Sequence, residues 1–460
     1  MMRLARSTRE ELVALATLTG PILLSQFSQA AFGFIDTVMA GQVSALDLAA
    51  VALGSSFWLP LYLLTTGTLL AITPLIAEAR GADHAERIPG LAHQALWLSL
   101  LVTGCGFLIL RLIPSLFDLL AVSMPLRVKT EAFLHAISWG MPAVGLFFVL
   151  RCYCEAQERP LPVTLISFAG LALNVAANQV FIHGTDGTML QMLHVPAMGG
   201  PGCGWGTTTV LWSMALALFA YVMLSPHFAA SRLLQSARKP DLDAVWRIAR
   251  LGLPIGLAIF FEVSSFASVA VLVSPLGETV VAGHQVALSV TSILFMVPLS
   301  TAIALTIRTG EAWGARNAEA LRRVARTGLW TTSLIALISA VFLLFGRHVI
   351  AAGYSDDAAV CALAADLMLF AVAYQVVDAL QVGAAGCLRG MQDTRSPMRL
   401  TLIAYWVVGI PFGWLAGSTE VFGRAWGPYG YWAGLVLGLT VAALLLNRQL
   451  WRRLDRLQAI

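Results

Sequence analysis

Charge is scarce in this 460-residue chain: Asp, Glu, Lys and Arg make up 12% of it, about half the roughly 25% of a soluble domain. Hydrophobic residues make up 58%, and the mean hydropathy is +0.78. That balance excludes an ordinary soluble enzyme and points to a polytopic membrane protein, with the lipid bilayer as its surroundings and no nucleic acid as partner. The net charge of +4 decides little, because in such a chain the position of each charge matters more than the sum.

Other absences narrow the reading. The six cysteines (Cys105, Cys152, Cys154, Cys203, Cys361 and Cys387) show no metal-ligand spacing, and Cys152-Tyr153-Cys154 is not a CxxC pair; they read as small apolar packers, and no structural metal or cofactor is expected. The stretch MGGPGCGW over 198–205 lacks the Lys-Ser/Thr that completes a phosphate cradle, so it reads as a tight extracellular turn. No HExxH or DxxxD cluster stands at a membrane interface, which counts against an integral-membrane enzyme, and no short filter loop suggests a channel. The polar start MMRLARSTREEL leads into an apolar segment that is too long for a signal peptide and lacks a small-residue cleavage site, so none is expected.

What is present is apolar runs of about 20 residues, each long enough to cross a bilayer. Twelve lie near 13–40, 48–77, 92–113, 129–150, 162–183, 205–225, 250–273, 281–307, 327–346, 359–387, 398–417 and 428–448. The expected fold is an all-α polytopic membrane protein with twelve transmembrane helices in two six-helix lobes. The N-terminal lobe covers 1–225, a basic cytoplasmic linker covers 226–249, and the C-terminal lobe covers 250–460. With the N-terminus inside, 24 of the 29 Lys and Arg fall on the inner side, Arg3, Arg6, Arg232 and Arg238 among them; outside remain Arg111, Arg127, Lys129, Arg347 and Arg424. By the positive-inside rule both termini are expected in the cytoplasm.

The chain also repeats itself. Leu18, Pro21, Ile22 and Leu24 recur as Leu251, Pro254, Ile255 and Leu257 at an offset of 233, and ITPLIAEARGA ending at Ala82 is echoed by LTIRTGEAWGA ending at Ala315 at the same offset. Six helices per copy is an even number, so both copies enter the membrane in the same orientation. They should be related by an axis along the membrane normal, with a substrate site expected where the repeats meet.

Most acids sit at helix ends or in loops, but Asp36, Glu262 and Asp378 fall inside the first, seventh and tenth runs. An ionisable group at that depth costs about 2.5–3.5 kcal/mol on insertion scales and is a functional candidate for that reason. Ser25, Gln29, Phe32 and Asp36 share one helical face, as do Tyr374, Gln375, Asp378 and Gln381, while Asn174 and Asn178 stand one turn apart. No Lys or Arg falls in the middle of any run, so these acids are expected to be neutral or to hold a cation rather than to pair with a buried base. Plain hydrogen bonding between helices remains the alternative for the asparagines. Phe27, Phe34, Phe260, Phe261, Phe266, Met296 and Tyr374 could wall a pocket for flat aromatic cations, or equally face lipid. His135 and His284 read as interface residues.

GFIDTVMAG (33–41), LNVAANQVFIHG (173–184), FFEVSSF (260–266), YQVVDALQ (374–381) and LRGMQDTRSPM (388–398) together resemble the multidrug and toxic compound extrusion (MATE) transporters of the NorM-type bacterial branch. The resemblance covers nearly the whole chain. It implies a monomeric antiporter of the bacterial inner membrane that exports organic cation drugs and dyes in exchange for Na+ or H+, rocking between two access states. It further implies a cation-coupling site at Glu262, Asp378 and Tyr374, with transient Na+ at the two acids, and a first-lobe polar site of Asp36, Asn174 and Asn178, to which Gln29 is added from its helical face. Asp36 is also a candidate for coupling, and Phe27, Phe34, Phe261, Phe266, Met296 and Gln381 are the candidates for the substrate cavity. One departure is Cys152-Tyr153-Cys154-Glu155-Ala156, expected in the loop after the fourth helix where a glycine-rich turn would be usual. A lipid-linked precursor flippase of the same superfamily is the rival reading; it calls for intramembrane arginines, which the runs lack.

Overall fold

The computed structural model describes residues 7–117, 123–185, 194–231, 233 and 239–458. Among them eleven helices are long and apolar enough to cross a membrane, and a bent pair supplies a twelfth crossing if it is one span. In chain order these are α1 (Thr8–Val43), α2 (Ala45–Gly81), α3 (Ala85–Leu116), α4 (Met124–Ser138 and Met141–Ala156, bent by 41°), α5 (Leu161–His183) and α6 (Gly202–Leu224). They continue as α7 (Leu242–Leu276), α8 (Glu278–Gly314), α9 (Ala318–Ala352), α10 (Ala358–Gly390), α11 (Arg395–Ser418) and α12 (Pro428–Leu457). No strand occurs among the described residues.

The apolar runs sit inside these helices to within one residue, and most helices extend past them because polar caps carry the ends. Ser44 Oγ accepts from Asp47 N at 3.0 Å at the start of α2, Asn317 Oδ1 from Ala320 N at 2.9 Å before α9, and Asp357 Oδ1 from Ala359 N at 2.8 Å before α10; each satisfies a backbone N–H that has no intrahelical partner. Asp241 does the same for Asp243 and Ala244, so α7 begins eight residues earlier than expected, within the stretch read as linker. Arg232 and residues 234–238 of that linker lie outside the described residues, as do Arg3 and Arg6. The described end of the linker is tied to α3 by Gln94, which donates to Lys239 O at 3.1 Å and accepts from Asp241 N at 3.0 Å.

Two helices are irregular. In α4 the bend falls at Trp139–Gly140, just before Met141-Pro142, where proline removes a donor from the ladder. In α11 the turns over Ile403–Gly409 are π-helical, a wider winding that re-aims side chains and recurs at functional positions. The expected loop at Cys152–Ala156 is instead the last turn of α4 and is buried throughout. Its helical state is supported by the Arg151 Nε–Glu155 Oε1 pair at 2.7 Å, four residues apart, and by Tyr153 packing on Phe228.

The chain divides into two compact units. One comprises Leu24–Ala79 and His84–Gly256, with a core that includes Leu110, Phe117, Phe133, Ile137 and Met141. The other comprises Met1–Leu23, Arg80–Asp83 and Leu257–Ile460, with a core that includes Leu367, Met368, Tyr405, Trp432 and Leu439. These groupings run differently from a cut at 225–250. The first part of α1 groups with the second half of the chain and the first part of α7 with the first half, and the two changeover points, Leu23 and Gly256, are again 233 positions apart. A buried ionic cluster within the second unit accounts for the first exchange. Arg308 of α8 forks onto Glu11 of α1 through two contacts of 2.9 Å and reaches Glu311 at 2.7 Å, and Glu311 also takes Arg80 at 2.8 Å. Beside it Gly81 approaches so closely that a Cβ there would overlap the Glu311 carbonyl, so only glycine fits.

Candidate functional site

In the unit that holds α8 to α12, five polar side chains from three helices converge. From α10 come Tyr374, Asp378 and Gln381, spaced four and three residues apart on one face and only 3%, 4% and 2% exposed. From α7 comes Glu262, half-buried. The π-helical part of α11 supplies Tyr405, 1% exposed, whose hydroxyl lies 3.0 Å from Gln381 Oε1 and 3.4 Å from Glu262 Oε1. A phenol has one proton to donate, so these two bonds are alternatives, and the choice couples Glu262 to Gln381.

Asp378 Oδ1 is buried with no hydrogen-bond partner, one helical turn from Gln381. The two carboxyls are thus linked through the Gln381 and Tyr405 oxygens. Such a donor set suits a proton or a hard cation rather than a soft metal, and no cluster of three or more His, Cys, Asp or Glu that could hold a metal is found among the described residues. Tyr374 stacks on Trp432 with centroids 6.4 Å apart, and Trp432 Nε1 donates to His284 Nδ1 at 3.1 Å. Phe266 packs against the same aromatic core. Phe261 is half-buried, its carbonyl accepting from Trp406 Nε1 at 3.1 Å, and Met296 is likewise half-buried.

The other unit holds a separate cluster. Asp36 of α1 accepts from Asn178 Nδ2 at 2.7 Å and Asn174 Nδ2 at 3.3 Å on Oδ1, and from Thr207 Oγ1 at 2.6 Å on Oδ2. The site draws on α1, α5 and α6, and its asparagines are fully buried. Gly206 makes room for it, since a Cβ there would overlap Asn178 Oδ1. Gln29, two turns or about 10 Å from Asp36 along α1, is not part of this cluster; its Oε1 accepts from Arg151 Nη1 at 3.3 Å and Tyr62 OH at 3.5 Å. Phe27 is half-buried and Phe34 is 71% exposed.

Tyr405 and Thr207 were not singled out in the sequence. A lone tyrosine inside IAYWVVG and the first of three threonines inside an apolar helix are the signals that could have found them, because a buried hydroxyl needs a partner. No run holds a base at its middle, but three buried bases stand just past the runs. As α4, α8 and α10 continue past their apolar runs they carry Arg151, Arg308 and Arg389 inside, at 3%, 1% and 7% exposure. Arg151 and Arg308 are ion-paired to neighbouring glutamates. Arg389 forms no ion pair among the described residues, and its Nε has no hydrogen-bond partner.

The family model described as MatE matches this chain twice, over residues 21–180 and 254–415, and the two matches begin 233 positions apart, the interval of the repeat. The probable multidrug resistance protein NorM of Acinetobacter baylyi is 46% identical over 450 residues, 98% of each chain. The multidrug resistance protein PmpM of Pseudomonas aeruginosa is 43% identical over 449 residues, 97% of this chain and 93% of its own. Among solved structures, a crystal structure of MATE in complex with MaD5 shares the fold with a TM-score of 0.87 at 19% identity, over 100% of this chain and 99% of the other. The eukaryotic MATE transporter AtDTX14 does so with a TM-score of 0.83 at 20% identity, over 98% and 99%. With both halves matched and relatives aligned over more than nine-tenths of each chain, the chain is a multi-pass membrane protein that belongs to the MatE family.

Proposed function

We propose that this protein is a secondary antiporter that exports organic cation drugs and dyes across the bacterial inner membrane in exchange for inward Na+ or H+. The observation that carries this reading is that Glu262 and Asp378, linked through the Tyr405 hydroxyl and Gln381, lie within helices long enough to cross the membrane and neither is in an ion pair among the described residues. Carboxyls in low dielectric gain from holding a cation or a proton. The names of the relatives support multidrug efflux as the use made of it. The protein acts by alternating access, with both termini in the cytoplasm and as a monomer, and it needs no resident cofactor. The flippase reading gains the buried arginines it called for, but Arg151 and Arg308 are already neutralised by glutamates, which leaves only Arg389 among them for a pyrophosphate.

The energetics set a condition on coupling. Moving one charge inward yields about 2.3 kcal/mol per 100 mV, and a tenfold drug gradient costs about 1.4 kcal/mol. One monovalent cation exchanged for one monovalent drug moves no net charge, so only the ion gradient would drive it; use of the potential requires two ions per such drug. Purified protein in vesicles, given either a pH or a Na+ gradient and assayed for ethidium movement, tests the proposal. Movement driven by one gradient is expected, and movement indifferent to both would overturn it.

Tyr405→Phe removes the hydroxyl that links Glu262 and Gln381. The half-saturating concentration of the coupling cation should rise about fivefold, the loss of one hydrogen bond of about 1 kcal/mol, with drug affinity unchanged within about twofold. Tyr374→Phe keeps the ring on Trp432 and should change cation affinity less. Equal effects of the two variants would count against Tyr405 as part of the cation site.

Asp36 collects three donors and no base, and we assign it to the drug or to a proton that competes with the drug. Asp36→Asn keeps the shape and removes the charge. Drug affinity should fall at least about tenfold and lose its dependence on pH over about 5–8, where a buried carboxyl can exchange its proton, while cation binding at Glu262 and Asp378 persists. Tight, pH-dependent drug binding by this variant would leave Asp36 as a structural hydrogen-bonding group.

A further inference from the structure

A groove in the unit of α8 to α12 is lined by none of the five polar side chains gathered around Tyr405. Its cavity of about 1060 Å³ is walled mainly by α9, with Leu12 of α1 and Trp451 of α12 at its sides. The chemistry along α9 is ordered. Arg322, Arg323 and Arg326 come first, then Trp330, then Leu334 and Leu337, and from Arg322 the spacings of four, four, four and three keep Arg322, Arg326, Trp330, Leu334 and Leu337 on one face.

The length of that stripe is informative. Arg326 to Leu337 is eleven residues, about 16 Å at the α-helical rise, and one leaflet of a bilayer core is about 15 Å deep. Trp330, Leu334 and Leu337 are 72%, 58% and 52% exposed, so the protein itself does not cover the apolar part. Tryptophan at its upper limit, with Trp451 opposite, marks the level where a membrane changes from headgroup to hydrocarbon. Within the groove Ser333 Oγ is buried with no hydrogen-bond partner. At the charged end Arg322 is paired with Asp455 at 2.6 Å, whereas the exposed Arg326 forms no ion pair among the described residues.

We propose that this groove binds an anionic phospholipid, its phosphate on Arg323 and Arg326 and one acyl chain along Trp330, Leu334 and Leu337. Basic pockets between transmembrane helices take acidic headgroups in this way. A neutral lipid would leave Arg326 without a counter-charge, and a free phosphate would leave the apolar wall uncovered. The inference rests on the membrane location alone and is independent of what the protein transports.

The test uses the full chain in uncharged detergent, with bound molecules counted by native mass spectrometry during titration with phosphatidylglycerol, phosphatidylcholine or glycerol phosphate. Wild type should bind phosphatidylglycerol at least about tenfold more tightly than phosphatidylcholine, at about fivefold per arginine. The Arg323→Gln, Arg326→Gln double variant should lose that preference with phosphatidylcholine binding unchanged, and Trp330→Ala should weaken both lipids. Arg326 and Trp330 are exposed, so the folds should survive; if the double variant does not fold, Arg326→Glu alone must abolish the preference. Equal affinity of wild type for both lipids, or a preference that survives the arginine substitutions, overturns the proposal. So does glycerol phosphate bound as tightly as phosphatidylglycerol, which would mark an ion site only, or a dimer that Arg326→Gln dissociates, which would place a second copy of the chain in the groove.

Discussion

Glu262→Gln and Asp378→Asn should each reduce ion-coupled export by roughly a hundredfold or more, equivalent to about 3 kcal/mol, while the protein still folds and inserts. The two carboxyls are linked through Tyr405 and Gln381, and each substitution replaces a full negative charge with an amide that adds donors where the cation needs acceptors. Compensation by solvent is small at membrane depth. For Asp378 the loss should be least affected by neighbours, because its Oδ1 has no protein partner. Glu262 has Tyr405 at hand, which can turn its hydroxyl to an amide oxygen. Vesicles with an imposed gradient give the rate, and a melting curve reports folding. Coupled export at the wild-type rate by either variant would remove that acid from the coupling site.

Arg308→Gln should cost about 3–5 kcal/mol of stability, the penalty for breaking a buried ion pair and leaving a charge behind. Glu11 accepts both of its charge-assisted bonds from Arg308 and is 1% exposed, so the variant strands it. Glu311 is better protected, since Arg80 also holds it. Arg308→Lys keeps the charge but not the fork and should fall between wild type and Arg308→Gln. Glu11→Gln combined with Arg308→Met leaves no lone charge at Glu11 and should recover much of the loss, a non-additivity expected of neighbours. The melting temperature of Arg308→Gln should drop by roughly 10 °C. A melt indistinguishable from wild type would mean that water or lipid headgroups already solvate the cluster.

Much of this protein was legible in the chain alone. Twelve apolar runs stood out because burial in hydrocarbon is a property of about 20 consecutive residues, which needs no knowledge of partners. The repeat at 233 was legible because corresponding positions share a steric role, such as Pro21 with Pro254 and Gly81 with Gly314. Asp36, Glu262 and Asp378 stood out because a carboxylate is costly wherever an apolar helix carries it. Helix ends were less legible: α7 starts on an Asp241 cap inside a polar stretch, and α4 runs through Cys152–Ala156 with the support of an ion pair and of Tyr153 packing on Phe228.

Tertiary structure alone decided the partners. Tyr405 meets Glu262 across 143 positions, Thr207 meets Asp36 across 171, and Arg308 meets Glu11 across 297. Periodicity tells which residues share a face, not which faces come together, so Gln29 could be aligned with Asp36 along α1 and still bond to Arg151. The buried arginines show the same limit. A base near the end of an apolar run reads as a membrane-surface charge, and for Arg308 only the packing of α1, which brings Glu11, turns it into an interior one, because a guanidinium leaves water at tolerable cost when an acid is already waiting for it.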